Sequence, residues 1–310
     1  MDDVNIGLYA GDLTYDPPDK NKKIGVIALS TDVTAERDFA RILPMERLGV
    51  YVTRVAFENP TTPENLRKMA PLITQAARLI LPEERLDAIC YSCTAASVVI
   101  GDDAIKALVH AARPNLPVVT PSGAAVRALK TLGAKHISVV TPYLVETSQP
   151  MAAYFQAQGL SLAKFLCLGL ESDLDMARVD PASIIKAALA SQTNQTDAFF
   201  LSCTALQAAD VVAELERQTG KPVVTSNQAC AWELAHHANL RVDAGKWAAC
   251  SSMPCDRSPQ MAFQSPIELS DIKTAAQRIA PCIRTTPLVT SESLSRLSKT
   301  PVYLKLEHHQ

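Results

Sequence analysis

The chain has 310 residues, 30 basic against 32 acidic side chains for a formal net charge of −2, and a 47% hydrophobic composition. That length and apolar share suffice for a substantial core arranged in two lobes. The charges are interspersed, which excludes the basic stripe of a nucleic-acid binder, and no apolar run reaches the roughly 18 residues of a spanning helix. The opening Met1-Asp2-Asp3-Val4-Asn5 lacks a basic n-region, so the expectation is a soluble cytoplasmic protein with neither nucleic-acid nor membrane partners. Eight cysteines are then expected as free thiols rather than as a disulfide framework.

Residues 1–22 are polar and rich in Asp and Pro, and read as an irregular entry arm. The run from Ile24 to Leu29 suits a buried strand feeding the loop Ser30-Thr31-Asp32. Helical spacing of Phe39, Ile42, Leu43, Met45 and Leu48 predicts a helix from Glu36 to Leu48 despite Pro44, with Gly49 ending it. A second strand is predicted from Val50 to Phe57. Thr62 and Pro63 read as N-cap and first position of a helix running to about Leu79. The third predicted strand, Asp87 to Ser92, hands over to a helix at Cys93-Thr94. Strands and helices then alternate through Val118–Thr120, Gly123–Leu132, Ile137–Thr141, Ser148–Gln158, Leu160–Leu168 and Pro181–Ala190. A strand at Asp197–Leu201, a helix reaching Gln218, a strand at Val223–Thr225 and a helix from Gln228 to His237 complete the series.

The pattern is a duplication. Asp87-Ala88-Ile89-Cys90-Tyr91-Ser92-Cys93-Thr94 returns as Asp197-Ala198-Phe199-Phe200-Leu201-Ser202-Cys203-Thr204, an offset of 110 residues. Ile24–Thr31 aligns with Lys135–Pro142 at 111, Leu48–Val50 with Gln158–Leu160 at 110, and Pro117–Thr120 with Pro222–Thr225 at 105. The fold class expected is therefore α/β, with two similar parallel-sheet lobes related by a pseudo-two-fold axis. Ligands collect at the carboxyl ends of such strands, which is where both Ser-Cys-Thr segments fall, so the active site is expected in the cleft between the lobes.

A thiol where a strand hands over to a helix lies in the field of the helix N-terminus, whose backbone N–H groups favour thiolate. Two such thiols, Cys93 and Cys203, on opposite faces of a bound carbon would supply one acid and one base. That pair inverts or isomerises a centre beside a carboxylate without a cofactor. The competing assignment is that a cysteine on an apolar strand is a small core residue, and Cys90 fits it better, having Phe200 at its equivalent position. Cys167, Cys230, Cys250, Cys255 and Cys282 show no ligand spacing with His236 or His237, so no metal site is expected.

With Ser92-Cys93-Thr94, Ser202-Cys203-Thr204, Ser30-Thr31-Asp32, Thr141-Pro142-Tyr143 and Ser226-Asn227-Gln228…Trp232, the chain resembles the aspartate/glutamate racemase superfamily over roughly residues 4–240. It resembles above all the branch containing maleate cis–trans isomerase and arylmalonate decarboxylase. Thr31-Asp32, Glu36-Arg37-Asp38-Phe39 and Ser226–Trp232 are similar to the ectoine-utilisation (EutA) proteins. The resemblance implies catalytic Cys93 and Cys203, and a substrate pocket with Ser30, Thr31, Asp32, Thr94, Tyr143, Asp173 and Thr204. It implies hydroxyl donation to a carboxylate or enolate by Thr94 and Tyr143, and an oxyanion pocket from the N–H groups of Cys203 and Thr204. Maleate isomerases carry Asn where this chain has Asp32 and Asp173; extra carboxylates repel a dicarboxylate and suit a substrate bearing an amino group. A small carboxylate or amino-acid-like substrate, no metal and no cofactor are expected; a homo-oligomer is left open.

The expected domains are a racemase-like domain over 1–250 (lobe one about 1–120 plus 226–250, lobe two about 121–225), a linker over 251–265, and a tail over 266–310. In the tail, Arg284-Thr285-Thr286-Pro287-Leu288 and Val302-Tyr303-Leu304-Lys305-Leu306-Glu307 resemble the opening of a threonine dehydratase-like pyridoxal-phosphate enzyme of fold type II. The sequence stops before that family's Schiff-base lysine and glycine-rich phosphate loop, so the tail is expected to carry no pyridoxal-phosphate chemistry by itself. A joined product of neighbouring genes is the expectation, with a functional link to a threonine dehydratase-like enzyme left open.

Overall fold

The structure, a computed structural model, describes residues 7–17 and 20–242 and two short strands, Leu288–Thr290 and Tyr303–Lys305. Its contacts divide the chain into two units, Met1–Cys255 and Asp256–Gln310. In the second unit the two short strands pair antiparallel, Leu288 opposite Lys305; the rest of the expected pyridoxal-enzyme-like tail and the linker lie outside the described residues.

The first unit holds two four-stranded parallel sheets. One is built from β1 (Lys22–Leu29), β2 (Leu48–Val55), β3 (Ala88–Ser92) and β4 (Val118–Val119) in the order β2-β1-β3-β4. The other is built from β5 (His136–Thr141), β6 (Ser161–Cys167), β7 (Ala198–Leu201) and β8 (Val223–Thr225) in the order β6-β5-β7-β8. Adding four to each strand number turns one order into the other, so the internal repeat is a repeat of topology. Register refines the alignment: Ile24 pairs with Ala88 and Ile137 with Ala198, so the first strands correspond at an offset of 113 rather than 111. The central strands β3 and β7 are buried along their whole length, as strands covered by helices on both faces must be.

Proline sets two boundaries that apolar spacing misplaces. The first helix is Ala35–Ile42 and stops before Pro44, because a residue preceding proline is pushed out of the helical region; Leu43 has ψ 150°. The helix expected from Thr62 to Leu79 is two, Pro63–Arg67 and Ala70–Leu79. Pro71 has no N–H to give the carbonyl four residues earlier, so the ladder cannot continue through it. Thr62 does cap the first piece, accepting the Asn65 N–H at 3.3 Å. The helices after β4 and β8, Pro121–Thr131 and Ser226–His237, pack on one another, and the second also lies against the Ala35–Ile42 helix and β3. Chain that has just left the second sheet therefore lies against the first.

Candidate active site

Cys93 follows β3 directly in an extended conformation (φ −151°, ψ 112°) as N-cap of the helix Thr94–Ile100, and the Ala96 N–H acts on its sulfur to favour thiolate. Cys203 differs. It adopts φ +99°, a region L-residues rarely enter, and no helix starts there. The chain runs through a loop to a 3-10 turn at Ala208–Val211 and only then into the helix Val212–Thr219. Expecting a helix start at each thiol is thus right for Cys93 and wrong for Cys203. First-lobe side chains hold the loop open: Thr34 Oγ1 donates to Ala205 O at 2.7 Å and Arg37 Nη1 to Gln207 Oε1 at 3.0 Å. Within it the Ala205 N–H donates to the Cys203 sulfur at 3.3 Å.

Burial dominates the titration of both thiols. Cys93 is pushed well above the ordinary thiol value, first by burial and then by Asp173, Cys203 and Asp32, against the Ala96 N–H. Cys203 is pushed up to about 12 by burial and by Asp173, against hydrogen bonds from Tyr143 and from the Ala205 and Leu206 N–H groups. Desolvation outweighs the pull of one or two N–H donors towards thiolate, and both thiols rest protonated. The two sulfurs nevertheless sense one another, and both act on the phenol of Tyr143, which is 2% exposed, raised well above its ordinary value by burial, and hydrogen-bonded to Cys203.

Two carboxylates face this pair. Asp32, 4% exposed, accepts the Thr34 and Ala35 N–H groups on Oδ1 at 2.8 and 2.9 Å, which starts the Ala35–Ile42 helix. Its Oδ2 is buried without a partner among the described residues. Asp173, 5% exposed, accepts the Thr31 hydroxyl at 2.5 Å. Burial raises both carboxyls, and Asp32 raises Asp173 further by like charge. The cation acting on Asp32 is Arg54, whose guanidinium is spent on the carbonyls of Leu29 and Asp32 and on Glu36.

Of the residues singled out from sequence, Cys93, Cys203, Tyr143, Asp32, Asp173 and Thr31 converge. Thr204 is at hand too, its hydroxyl donating to Ser92 O at 3.3 Å. Ser30 does something else: its Oγ accepts the Phe57 N–H at 3.1 Å, tying the ends of β1 and β2. Thr94 Oγ1 donates to Ser226 Oγ at 2.8 Å, and Ser226 Oγ also accepts the Cys203 N–H at 3.1 Å. The hydroxyl and the N–H expected to face substrate are thus engaged with a serine to which the sequence reading gave no role. Thr61, also unassigned, acts on Asp173 to favour its charge and donates to Glu171 O at 3.1 Å. Its signal was there in the Asn59-Pro60-Thr61-Thr62-Pro63 turn after β2, beside the Glu171–Asp173 turn after β6. Cys90 and Cys230 are buried, and the described cysteines are all free thiols.

Fold and site together define a two-lobed, internally duplicated α/β protein with one cysteine at the end of each central strand. A family model for arylmalonate decarboxylase matches residues 61–249, and the chain belongs to that family. The maleate isomerase of Pseudomonas putida is 28% identical over 234 residues, covering 70% of this chain and 92% of that protein. Among solved structures, the maleate isomerase Iso of Pseudomonas putida S16 superposes with a TM-score of 0.69 at 23% identity, covering 76% of this chain and all of that one. A cysteine-to-serine variant of Nocardia farcinica maleate cis–trans isomerase, solved with a covalently bound succinylcysteine intermediate, gives 0.68 at 21% identity over 74% and 98% of the two chains. No helix among the described residues is long and apolar enough to cross a membrane.

Proposed function

We propose that this chain is a cofactor-independent isomerase or racemase acting at a carbon beside a carboxylate, with Cys93 and Cys203 as acid and base. One observation carries it: the thiols end equivalent strands of the two sheets, sense one another, and share the phenol of Tyr143. One thiol removes the proton on one face of the substrate while the other delivers a proton to the opposite face. Because both rest protonated, the reaction needs a substrate that lowers one of them on binding. A substrate ammonium does that, because it offsets the charge of Asp173, a group that raises both thiols. The substrate is accordingly amino-acid-like, and the resemblance to ectoine-utilisation proteins points to an intermediate of ectoine or hydroxyectoine degradation, such as an acetylated diaminobutyrate.

The second reading is maleate cis–trans isomerisation, in which a cysteine adds to the double bond; the maleate isomerase relatives and the succinylcysteine in the Nocardia protein favour it. Incubation in deuterium oxide with a panel of α-amino acids, acetylated diaminobutyrates, hydroxy acids and maleate separates the two. Deuterium at the α-carbon of an amine-bearing substrate is the expected result. Conversion of maleate to fumarate, with every amine-bearing compound untouched, overturns the amino-acid assignment and leaves the second reading.

A further inference from the structure

The side chains that open the last described helix, Ser226 and Asn227, both bond to the loop of the second thiol, Asn227 through its Nδ2 alone. Ser226 Oγ accepts the Cys203 N–H at 3.1 Å. Asn227 Nδ2 donates to the carbonyl of Thr204 at 3.0 Å. The dipeptide Cys203-Thr204 is therefore gripped at its first donor and its last acceptor by two consecutive residues. Each grip is anchored in turn on the first lobe. Ser226 Oγ also receives the Thr94 hydroxyl at 2.8 Å, one residue beyond Cys93. Asn227 Nδ2 also donates to Asp38 Oδ2 at 2.8 Å, and the other oxygen of that fully buried carboxylate pairs with Arg37. The amide orientation is forced, because both neighbours of its nitrogen, a carboxylate and a carbonyl, are acceptors only.

Cys203 needs such a grip. A non-glycine residue at φ +99° carries backbone strain and stays there only where its surroundings over-determine it. In that strained state the Ala205 N–H points at the sulfur. A relaxed Cys203 would swing its sulfur away from that donor. Nothing comparable is needed at Cys93, whose extended backbone is ordinary and leads straight into a helix.

We infer that Ser226 and Asn227 are positioning residues that clamp Cys203 in its left-handed conformation and register it, through Thr94 and Asp38, against the first lobe. They touch no reacting atom; they act through the backbone on either side of the second thiol. This deepens the two-thiol reading and rests on it for the meaning of Cys203, but its test does not depend on turnover.

The probe is N-ethylmaleimide on the full-length chain, with the alkylation rates of Cys203 and Cys93 followed separately by peptide mass spectrometry at one pH. In Ser226→Ala and Asn227→Ala the rate at Cys203 is expected to fall by about tenfold or more, as a mispositioned reactive group does, while the rate at Cys93 stays within about twofold. Ser226→Thr keeps the acceptor oxygen and is expected to retain the parent rate. Asn227→Asp sets a carboxylate against two acceptors and is expected to be worse than Asn227→Ala. Unchanged or faster alkylation of Cys203 in the folded alanine variants overturns the clamp, and so does a parallel fall at both thiols. With a substrate in hand, the clamp variants are expected to lower kcat with little change in KM; loss confined to KM counts against it. A Cys203→Ala enzyme that turns over normally would sink the two-thiol reading while leaving the alkylation result intact.

Discussion

At the scale of single residues, the balance at each thiol is between desolvation and a few N–H donors, and desolvation wins. Burial, and then Asp173, pushes the Cys203 thiol from its ordinary value of 9.0 up to about 12. Between those values the folded chain keeps a proton that the unfolded chain has released. The stability linked to Cys203 is thus intact below about pH 9 and is lost as the pH rises towards 12, by roughly 1.4 kcal/mol per pH unit. Asp173 raises both thiols by like charge, so Asp173→Asn should lower both, and alkylation of Cys203 and Cys93 at a fixed mildly alkaline pH should accelerate. Rates that stay put or fall in the folded variant would show that the carboxylate does not govern the thiols. Asp32 starts a helix through Oδ1, while its Oδ2 is buried without a hydrogen-bond partner among the described residues.

At the scale of elements, the strands were legible because a buried parallel strand is a short apolar run, and the chain writes the set twice. Helix ends were less legible. Apolar spacing continued past Leu43 and across Pro71, whereas backbone chemistry stopped the helices there. The loop after Cys203 was not legible at all: its sequence copies the first lobe, and what distinguishes it is contact with Thr34 and Arg37, about 170 residues away. Ser226 escaped assignment for the same reason, since only folding brings it to Thr94 and Cys203. A second tie between elements sits at Asp102, which opens the helix Asp102–His110 and accepts Thr120 Oγ1 and the hydroxyl of Tyr154 on the helix Val145–Ala157, each at 2.6 Å. Tyr154→Phe removes one hydrogen bond to a charged acceptor and should lower the unfolding free energy by about 1.5–3 kcal/mol in urea titration. A loss below about 0.5 kcal/mol would mean that the carboxylate finds water instead.

At the scale of the whole molecule, duplication has made two sheets of one topology and then let their cysteine-bearing corners diverge. One thiol caps a helix in relaxed extended backbone; the other is held in a strained loop by residues of the opposite lobe. That asymmetry suits a pair with unequal duties, one proton acceptor and one donor at a time, better than two identical bases would. The claim beneath all of this is that both sulfurs work on the same carbon. It is tested most directly by the interconversion of the two stereoisomers of the substrate found in the screen, measured for the parent chain, Cys93→Ala and Cys203→Ala. Loss of interconversion by about a thousandfold or more in each single variant is the predicted result. Full interconversion in either variant would contradict it.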